Sequence, residues 1–511
     1  MKRLSFLGLV LSLMFISCPL PDEDSDDFVQ TYIEVTDSDI DYREKATTWT
    51  VMYYVDADND LESYLLEDME ELSEGLESTE LMNVIALVDR IDGESSDSSI
   101  LGEDFSDTRL YRIGADEIYR LSGGDYFPDI GTGLSGEYNM GDAETLKSFI
   151  EYCKEYYPAD NYALIFTNHG GGVKGDSDVL FSSSLSGGVG SSSWTNKAVC
   201  YDETSDNDCI YTAELSDVLD ESHSVDLMVY DACLMGLAEI AYQYRPGVAG
   251  EFSTDYLAAS APLVWAFGLP YDLIFQRLSE SLTGGTGNYS PVVDGSDYET
   301  QYYDPASMTA EEFGLIIVEE QERDTQELYS YSVSSQAFAL YDLNYIDSVM
   351  TELDDWAATS GYTADDTSEF DAARNSCILY EEDSPINYPF YDLYDFAVYY
   401  DDGTEDYLLD EYVDSLVVAS FGGSSFSSDY AEGQQGLAFF FTEGVSYWSD
   451  QWFYTGEDTD AWQSGYYYGK LDFCHADGDG NIDGWFELLQ SLYNPYESGT
   501  DDYTDYHPGA Y

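Results

Sequence analysis

The sequence predicts an α/β fold in which a mostly parallel sheet is flanked by helices. Four short apolar runs, rich in β-branched and aromatic residues and bounded by turn residues, have the pattern of buried strands. These runs are Trp49–Val55, Asn83–Val88, Tyr162–Thr167 and Leu227–Tyr230. Helical patterns separate them, and strands that alternate with helices form parallel sheets covered on both faces. We therefore expect functional residues at the carboxyl ends of these strands.

The helices predicted in the first half are amphipathic segments between and after those strands. They cover Leu61–Leu72, which has an acidic face, Ala143–Tyr157, Thr212–Leu219 and Leu234–Tyr244. The second half is less regular and predicts an elaborated α+β part. Its helices are expected near Glu311–Glu320 and Ile346–Ala357, and its strands near Ala337–Tyr341 and Gly436–Thr442.

The first 18 residues have the features of a secretory signal peptide. Two basic residues are followed by an apolar run, Leu4–Ile16, and a small residue stands before Cys18. This order resembles a bacterial lipoprotein signal, in which the cysteine is lipidated, although Phe15 replaces the usual leucine. Cleavage without lipidation is the alternative. Residues 19–45 are predicted to be an acidic tether, so we expect an exported protein that is either membrane-anchored through its lipid or secreted.

The charge balance is extreme, because 103 acidic residues against 17 basic residues give a formal net charge of −86. Such a surface repels nucleic acid and anionic lipid headgroups and attracts cations. Aromatic residues make up 16% of the chain, which argues against disorder. An acidic solvated shell explains the charge without reference to a substrate. We expect no nucleic-acid partner, and membrane contact only through the N-terminal lipid.

His169 and Cys233 occupy matching positions after two of the predicted strands. His169 follows Ala163–Asn168 and precedes three glycines, Gly170 to Gly172, which permit close backbone approach. Cys233 follows the strand Leu227–Tyr230. If these strands are neighbours, both side chains emerge at one edge of the sheet. There a histidine can depress the pKa of a thiol and generate a nucleophilic thiolate.

The surroundings of Cys233 predict further support for this chemistry. The helix expected after it would place positive potential at the sulfur. The backbone N–H groups of Gly170 and Cys233 are candidates for an oxyanion hole. The alternatives are a cysteine that is a small core residue and a histidine that is structural. The His-Gly-Gly-Gly motif also occurs as an esterase oxyanion loop, but the chain has no downstream G-x-S-x-G elbow.

Four segments give the sequence a resemblance to the clostripain family of cysteine peptidases. They are Trp49–Leu61, Asn83–Arg90, Asn168-His-Gly-Gly-Gly172 and Asp231-Ala-Cys-Leu-Met-Gly236. The last two are similar to the family's histidine and cysteine motifs. The resemblance implies a caspase-like fold, with the catalytic domain in residues 46–290 and a C-terminal part of the same peptidase unit in residues 291–511.

The resemblance also implies a function. It identifies His169 and Cys233 as the catalytic pair of an endopeptidase that cleaves protein or peptide substrates after Arg or Lys. Asp231 falls where the family places an acidic residue in the pocket for that basic side chain. The segment Ala259–Tyr271 has none of the further acids usual in the family. The alternative function is a catalytically retired caspase-like scaffold that acts as a surface binding protein.

The Gly/Ser-rich stretch 170–208 is predicted to be a long exposed loop, and it contains two of the seven lysines of the chain, Lys174 and Lys197. Exposed loops of small polar residues are preferred sites of proteolytic nicking. With the resemblance, this predicts maturation by self-cleavage, more favourably after Lys197 than after Lys174. An active single chain is the alternative. Cys200 and Cys209 in the same stretch could pair outside the cytoplasm.

A second candidate site lies near the C-terminus. Its alternating oxygen side chains are Asp477, Asp479, Asn481 and Asp483. They resemble the first half of an EF-hand calcium loop. Gln490 stands where such a loop has its bidentate glutamate, and a plain acidic turn is the alternative. Thiol chemistry requires no cofactor, and calcium is the metal that this loop would bind.

Overall fold

A computed structural model describes most of the chain between Thr31 and Tyr493. The described residues are 31–34, 47–76, 82–115, 117–130, 136–173, 198–278, 286–289, 298–301, 303–328, 335–363, 367–381, 388–401, 403, 407–426, 430–442, 468–474 and 481–493. The predicted signal peptide with Cys18, both predicted cleavage lysines, and Asp477 and Asp479 lie outside these ranges.

The strands of the described residues build one large sheet and three small ones. They are β1 (Thr31–Glu34), β2 (Thr47–Ala57), β3 (Met82–Arg90), β4 (Thr108–Gly114), β5 (Glu117–Leu121), β6 (Ala159–Thr167), β7 (Val199–Asp202), β8 (Asp208–Ile210), β9 (Val225–Asp231), β10 (Thr254–Ala259), β11 (Thr286–Tyr289), β12 (Tyr298–Gln301), β13 (Ala337–Asp342), β14 (Phe390–Asp392), β15 (Val417–Gly422) and β16 (Ala438–Phe440). The large sheet has the order β1-β5-β4-β3-β2-β6-β9-β10-β13-β15. The pairs β7–β8, β11–β12 and β14–β16 form the small sheets.

The centre of the large sheet is parallel, as predicted. Strands β3, β2, β6, β9 and β10 all run in the same direction. Strands β4 and β13 pair antiparallel with β3 and β10 on either side of them, and β15 pairs antiparallel with β13. The four predicted strands are confirmed as the cores of β2, β3, β6 and β9. Three of these strands extend by one or two residues into buried aspartates, Asp56, Asp89 and Asp231, which the apolar pattern does not include.

The helices cover both faces of the sheet. They are α1 (Glu62–Gly75), α2 (Ala143–Tyr156), α3 (Thr212–Val218), α4 (Ala238–Gln243), α5 (Tyr271–Gln276), α6 (Ala310–Leu328), α7 (Ile346–Ser360), α8 (Ser368–Arg374), α9 (Leu393–Tyr400), α10 (Leu409–Leu416) and α11 (Trp485–Tyr493). Within the described part of the chain, no helix is long and apolar enough to span a membrane.

Alternating side chains of β2 show how the sheet is buried on both faces. Tyr53 belongs to an apolar cluster with α1, α5 and α6, whereas Tyr54 belongs to a second cluster with α2, α4, α7 and the C-terminal helices. Both tyrosines are fully buried. Because a strand directs successive side chains to opposite faces, a continuous apolar run is required here rather than an alternating one.

Segments outside the central strands add to this sheet. Strands β13 and β15 extend it beyond β10, and β1, which lies within the predicted tether, pairs with β5. The predicted helices near Glu311–Glu320 and Ile346–Ala357 are confirmed within α6 and α7. The strand predicted over Gly436–Thr442 is shorter, because only Ala438–Phe440 pairs with β14.

Candidate active site

The register of β6 and β9 brings His169 and Cys233 to the same edge of the sheet. Thr167 of β6 lies opposite Asp231 of β9. His169 is two residues beyond Thr167, and Cys233 is two residues beyond Asp231. The backbone N–H of Asn168 also donates to the Asp231 carbonyl at 3.4 Å. The two chain segments therefore leave the sheet side by side, as the sequence predicted.

Gly170 packs directly against the backbone of Cys233. A Cβ placed on Gly170 would lie 2.2 Å from the Cys233 carbonyl oxygen and 2.9 Å from its nitrogen. No side chain can be accommodated at such distances, so the first glycine of the triplet is required for close approach. Gly172 adopts φ +70°, a left-handed conformation that favours glycine.

The segment after Cys233 is a turn rather than a helix. Leu234 adopts φ +63°, and its N–H donates to the Pro262 carbonyl at 3.1 Å. Helix α4 begins only at Ala238. The prediction that a helix N-terminus follows the thiol directly is therefore wrong, because contacts with the segment after β10 hold residue 234 in a non-helical conformation.

The Cys233 sulfur is bound by the segment after β10. The Val264 N–H donates to the sulfur at 3.3 Å, and the thiol lies 3.7 Å from the Val264 carbonyl oxygen. Burial raises the pKa of the Cys233 thiol to about 12. The Val264 and Gly170 N–H groups lower this pKa, and the charges of Glu381 and Asp231 raise it. The predicted depression of the thiol pKa is therefore wrong for the free protein, because burial outweighs the donors.

His169 is oriented by a carboxylate that the sequence analysis did not assign. Its Nε2 lies 2.7 Å from the Asp60 Oδ1. This hydrogen bond lowers the pKa of Asp60, whose carboxylate is 34% exposed. Because a hydrogen-bonded carboxylate fixes the ring of a histidine and stabilises its protonated form, Asp60 supports a histidine that accepts a proton.

The loop that carries Asp60 is tied to the histidine segment. The Asn168 side-chain amide donates to the Asp56 carbonyl at 2.6 Å. The Asn59 amide donates to the carbonyls of Asp56 and Tyr201, each at 3.1 Å. These buried bonds link the ends of β2 and β6 with β7, so they fix the position of Asp60 relative to His169.

Asp231 lies at the end of β9, two residues before Cys233. A second carboxylate, that of Asp68 on α1, lies beside it. Asp231 Oδ2 accepts hydrogen bonds from the Leu269 N–H at 3.1 Å and the Tyr271 hydroxyl at 2.9 Å. Asp68 Oδ2 accepts one from the Tyr53 hydroxyl at 3.3 Å. The two aspartates are only 5% and 2% exposed.

The backbone of Gly268 lies against the carboxylates of both Asp231 and Asp68, which shows that the two carboxylates are close together. A Cβ on this residue, which has φ +68°, would lie 2.7 Å from Asp231 Oδ2 and 3.2 Å from Asp68 Oδ2. Burial raises the pKa of both aspartates, that of Asp231 to about 6, and the charge of Asp231 also raises the pKa of Asp68. Two buried carboxylates at such proximity favour a bound cation or a shared proton.

The comparison with known proteins identifies the family. The family model described as the clostripain family matches residues 53–485. The chain belongs to the clostripain family. Clostripain from Hathewaya histolytica is 39% identical to it over 482 residues, which cover 87% of each protein. The chain is therefore a cysteine peptidase, a hydrolase that acts on proteins or peptides.

Two solved structures match the fold of this clostripain-family chain. A secreted C11 cysteine protease from Bacteroides thetaiotaomicron, in complex with an irreversible peptide inhibitor, gives a TM-score of 0.50 at 16% identity, covering 83% of this chain and 97% of that chain. An inactive zymogen C11 protease from Parabacteroides distasonis gives 0.51 at 16% identity, covering 88% and 100%. The predicted caspase-like α/β fold is confirmed by these matches.

Two aspartates beside the predicted site residues of this clostripain-family chain were not predicted from the sequence, namely Asp60 beside His169 and Asp68 beside Asp231. Asp60 ends the acidic loop of the first motif, Asp56–Asp60, so its place after β2 was a usable signal. Asp68 falls on the acidic face of the predicted amphipathic helix, where an aspartate is usually solvated. Its burial depends on contacts with Tyr53 and Gly268, which the local pattern does not contain.

The pairing considered for Cys200 and Cys209 is wrong in this structure, since no disulfide joins them. Cys209 lies opposite Tyr201 rather than Cys200, and the register shifts between Val199 and Tyr201. Cys200 packs into the large core cluster, whereas Cys209 packs with Ala198 and aromatic residues on the other side of the hairpin.

The described part of the C-terminal loop holds two of its four predicted ligands. Asn481 and Asp483 are exposed, and the Asp483 N–H donates to Glu487 at 2.7 Å. This bond is made at the start of α11, where a carboxylate is typical of a helix N-terminus. Calcium binding at this loop stays a prediction.

Proposed function

We propose that this chain is an exported cysteine endopeptidase in which Cys233 is the nucleophile, His169 is the general base and Arg or Lys is the preferred residue before the cleaved bond. The observation that carries the proposal is the β6–β9 register, which delivers a histidine with a carboxylate partner and a cysteine to one sheet edge. Such an arrangement is the requirement for thiol-based acyl transfer.

In the first step, the Cys233 thiol loses its proton to His169 as the sulfur attacks the scissile carbonyl carbon. Burial raises the pKa of the Cys233 thiol, so we expect His169 to take the proton as the sulfur attacks. The protonated imidazole is stabilised by Asp60. It then returns the proton to the leaving amine, and a thioester remains on the sulfur.

In the second step, water attacks the thioester, and His169 accepts its proton. The C–S bond breaks, the sulfur regains a proton and the carboxylic acid product leaves. Gly170 packs against the backbone of Cys233, and its N–H lowers the pKa of the thiol. This proximity supports the predicted oxyanion role of Gly170 and of the Cys233 N–H.

The pocket for the basic side chain is proposed to contain two carboxylates, Asp231 and Asp68. Their proximity supports this role, because a guanidinium or ammonium between them would replace the unfavourable contact of two negative charges. Asp68 would supply the second negative charge of the pocket, which the segment Ala259–Tyr271 does not contain. A guanidinium can form paired hydrogen bonds with carboxylates, so we expect Arg to be preferred over Lys.

Self-cleavage after Lys197, and secondarily after Lys174, is part of the proposal. The residue that follows Lys197 supports a cut at this position. Ala198 is buried and its carbonyl accepts the Gly171 N–H at 2.9 Å, so the new N-terminus would stay docked beside the histidine motif. Purified protein should separate into two fragments, and Cys233→Ala should remain whole. An active wild type that stays a single chain would contradict this step.

Export rests on the signal-like first 18 residues, and anchoring on Cys18. A diacylated or triacylated cysteine gives stable membrane attachment, whereas one chain does not. The intact mass of protein extracted from membranes should include these acyl groups and begin at Cys18. An unmodified N-terminus in the soluble fraction would contradict anchoring and leave export intact.

The proposed function is tested by covalent labelling. An acyloxymethyl ketone peptide with Arg at the reactive position should form an adduct that peptide mapping places on Cys233. Cys209→Ala, which removes a buried thiol outside the site, should label like the wild type. An adduct on another cysteine would contradict the nucleophile. Equal labelling by a probe with norleucine at that position would contradict the basic preference alone.

A further inference from the structure

Glu381, a residue of the C-terminal part, binds the segment that covers the catalytic sulfur. Its Oε1 accepts the Leu263 N–H at 2.8 Å. The next residue, Val264, donates its N–H to the Cys233 sulfur at 3.3 Å. These contacts place the carboxylate within about 10 Å of the sulfur. Besides burial, the charge of Glu381 raises the pKa of the Cys233 thiol, which also requires the two groups to be close. A substrate residue next to the cleaved bond is therefore within reach of Glu381.

The chain before Glu381 is fixed by hydrogen bonds to the strand β14. The Tyr380 N–H donates to the Phe390 carbonyl at 3.2 Å, and the Tyr380 hydroxyl donates to Asp392 Oδ2 at 2.7 Å. Phe390 in turn lies against the histidine segment, because a Cβ on Gly172 would be 3.1 Å from its ring. The side chain of Glu381 is half-buried. Its carboxylate is therefore held in place before a substrate binds, which is what a specificity-determining group requires.

The strand order indicates on which side of the sulfur the acyl part of a substrate lies. His169, Cys233 and Leu263 follow β6, β9 and β10, which are neighbours in that order in the sheet. His169 gives its proton to the leaving amine, so the leaving part of the substrate lies on the β6 side. The residues before the cleaved bond therefore lie on the β10 side, where Glu381 bonds to Leu263. This step rests on the proposed function, because it uses the roles assigned to Cys233 and His169.

The two faces of the sheet separate Glu381 from the pocket at Asp231. Asp231 bonds to Leu269 and Tyr271, which belong to the apolar cluster of α1, α5 and α6. Tyr380, the residue before Glu381, belongs to the cluster on the opposite face. Successive side chains of an extended peptide point in opposite directions. When the first side chain before the cleaved bond enters the pocket at Asp231, the second is therefore directed to the face of Glu381.

We propose that Glu381 selects Lys or Arg at the second position before the cleaved bond, so that preferred substrates carry two consecutive basic residues. A carboxylate has lone pairs for several hydrogen bonds, so its bond to Leu263 is compatible with a further bond from an ammonium or guanidinium. Half-burial strengthens such a charge-assisted bond relative to one at an exposed surface. The net charge of −86 would also attract substrates of this kind.

The test compares two fluorogenic peptides that have Arg before the cleaved bond and either Lys or norleucine before that Arg. Norleucine has the stem of lysine without its charge. The wild-type kcat/KM should be about fivefold or more higher for the Lys peptide. Glu381→Gln keeps an oxygen that can accept the Leu263 N–H, and it should reduce this ratio to below about twofold. Glu221→Gln, which removes an exposed charge just before the opposite end of β9, is the control and should keep the wild-type ratio.

The outcomes separate selection by Glu381 from a structural role. Equal wild-type rates on the two peptides would overturn the proposal, and this comparison needs no variant to fold. An unchanged ratio in Glu381→Gln would overturn it too. So would an equal loss on both peptides, which would show that the carboxylate only positions Leu263. A preference for Lys after the cleaved bond instead, measured with a peptide mixture, would overturn the placement. Equal cleavage after Arg and citrulline, with the Lys-to-norleucine ratio retained, would contradict the pocket at Asp231 and not the role of Glu381.

Discussion

Replacing Asp68 by Asn tests the two-carboxylate pocket most sharply. The substitution keeps the shape of the side chain and an oxygen that accepts the Tyr53 hydroxyl, but it removes one of two negative charges. Asp68 is on α1, and the substitution leaves in place the contacts of the Cys233 sulfur with Val264 and of the His169 ring with Asp60. A loss of activity should therefore depend on the charge of the substrate.

The expected magnitude follows from the burial of the pair. Removing one partner of a buried ion pair costs about 3–5 kcal/mol. Because Asp231 would still face the guanidinium, we expect a smaller loss, about 2–3 kcal/mol, which is about 30- to 150-fold in kcat/KM. The thermal unfolding midpoint should not fall, because the substitution separates two buried carboxylates of like charge.

The assay compares two fluorogenic peptides that differ only in Arg or citrulline before the cleaved bond, since citrulline has nearly the same shape without the charge. Asp68→Asn should lose rate on the Arg peptide and retain it on the citrulline peptide. Glu67→Gln, an exposed neighbour on the same helix, is the matched control and should retain both rates. An Arg rate within threefold of wild type, or an equal loss on both peptides, would refute the reasoning.

Three further predictions concern the same site. Asp60→Asn should lower kcat by about tenfold or more with little change in KM, because it removes the group that orients His169. Steady-state kinetics measure both constants. Burial raises the pKa of Asp231 to about 6, so the pocket is charged above this pH and loses charge below it. As pH drops through about 6, kcat/KM should fall more for the Arg peptide than for the citrulline peptide, and Asp231→Asn should remove this difference, because protonation of the general base lowers the rate on both peptides alike. Gly268→Ala should raise KM for the Arg peptide, because its Cβ would meet Asp231 Oδ2 at 2.7 Å; an unchanged KM would show that the acid pair is not the binding pocket.

The central fold was predictable because its strands are fully buried. A strand covered on both faces must be apolar at successive positions, so β2, β3, β6 and β9 leave continuous runs in the sequence. Strand β4 and the C-terminal strands were less evident, because edge and antiparallel strands carry mixed patterns. The helix after Cys233 is predicted to begin at Leu234 but begins four residues later, at Ala238. The conformation of Leu234 is fixed by a hydrogen bond to Pro262, a contact distant in sequence.

The candidate site was predictable in its two central residues and less so in their partners. His169 and Cys233 are marked by local context, namely strand ends and glycines. Asp60 is indicated in the sequence only by its place in the acidic loop after β2, and Asp68 only by tertiary contacts with Tyr53 and Gly268. The sequence predicts a lowered pKa for the Cys233 thiol, whereas burial raises it. This burial depends on the segment around Val264 and cannot be derived from the residues beside Cys233.

The most direct measurement of the central claim is the hydrolysis rate of the Arg peptide by Cys233→Ala, His169→Ala and the double variant. If the two residues act as one unit, each single variant should lose about 10³-fold or more in kcat, and the double variant should lose no more than either alone. Circular dichroism should show the wild-type fold in all three. A Cys233→Ala protein that keeps more than about a tenth of the activity, a loss below about 1.4 kcal/mol, would contradict the account.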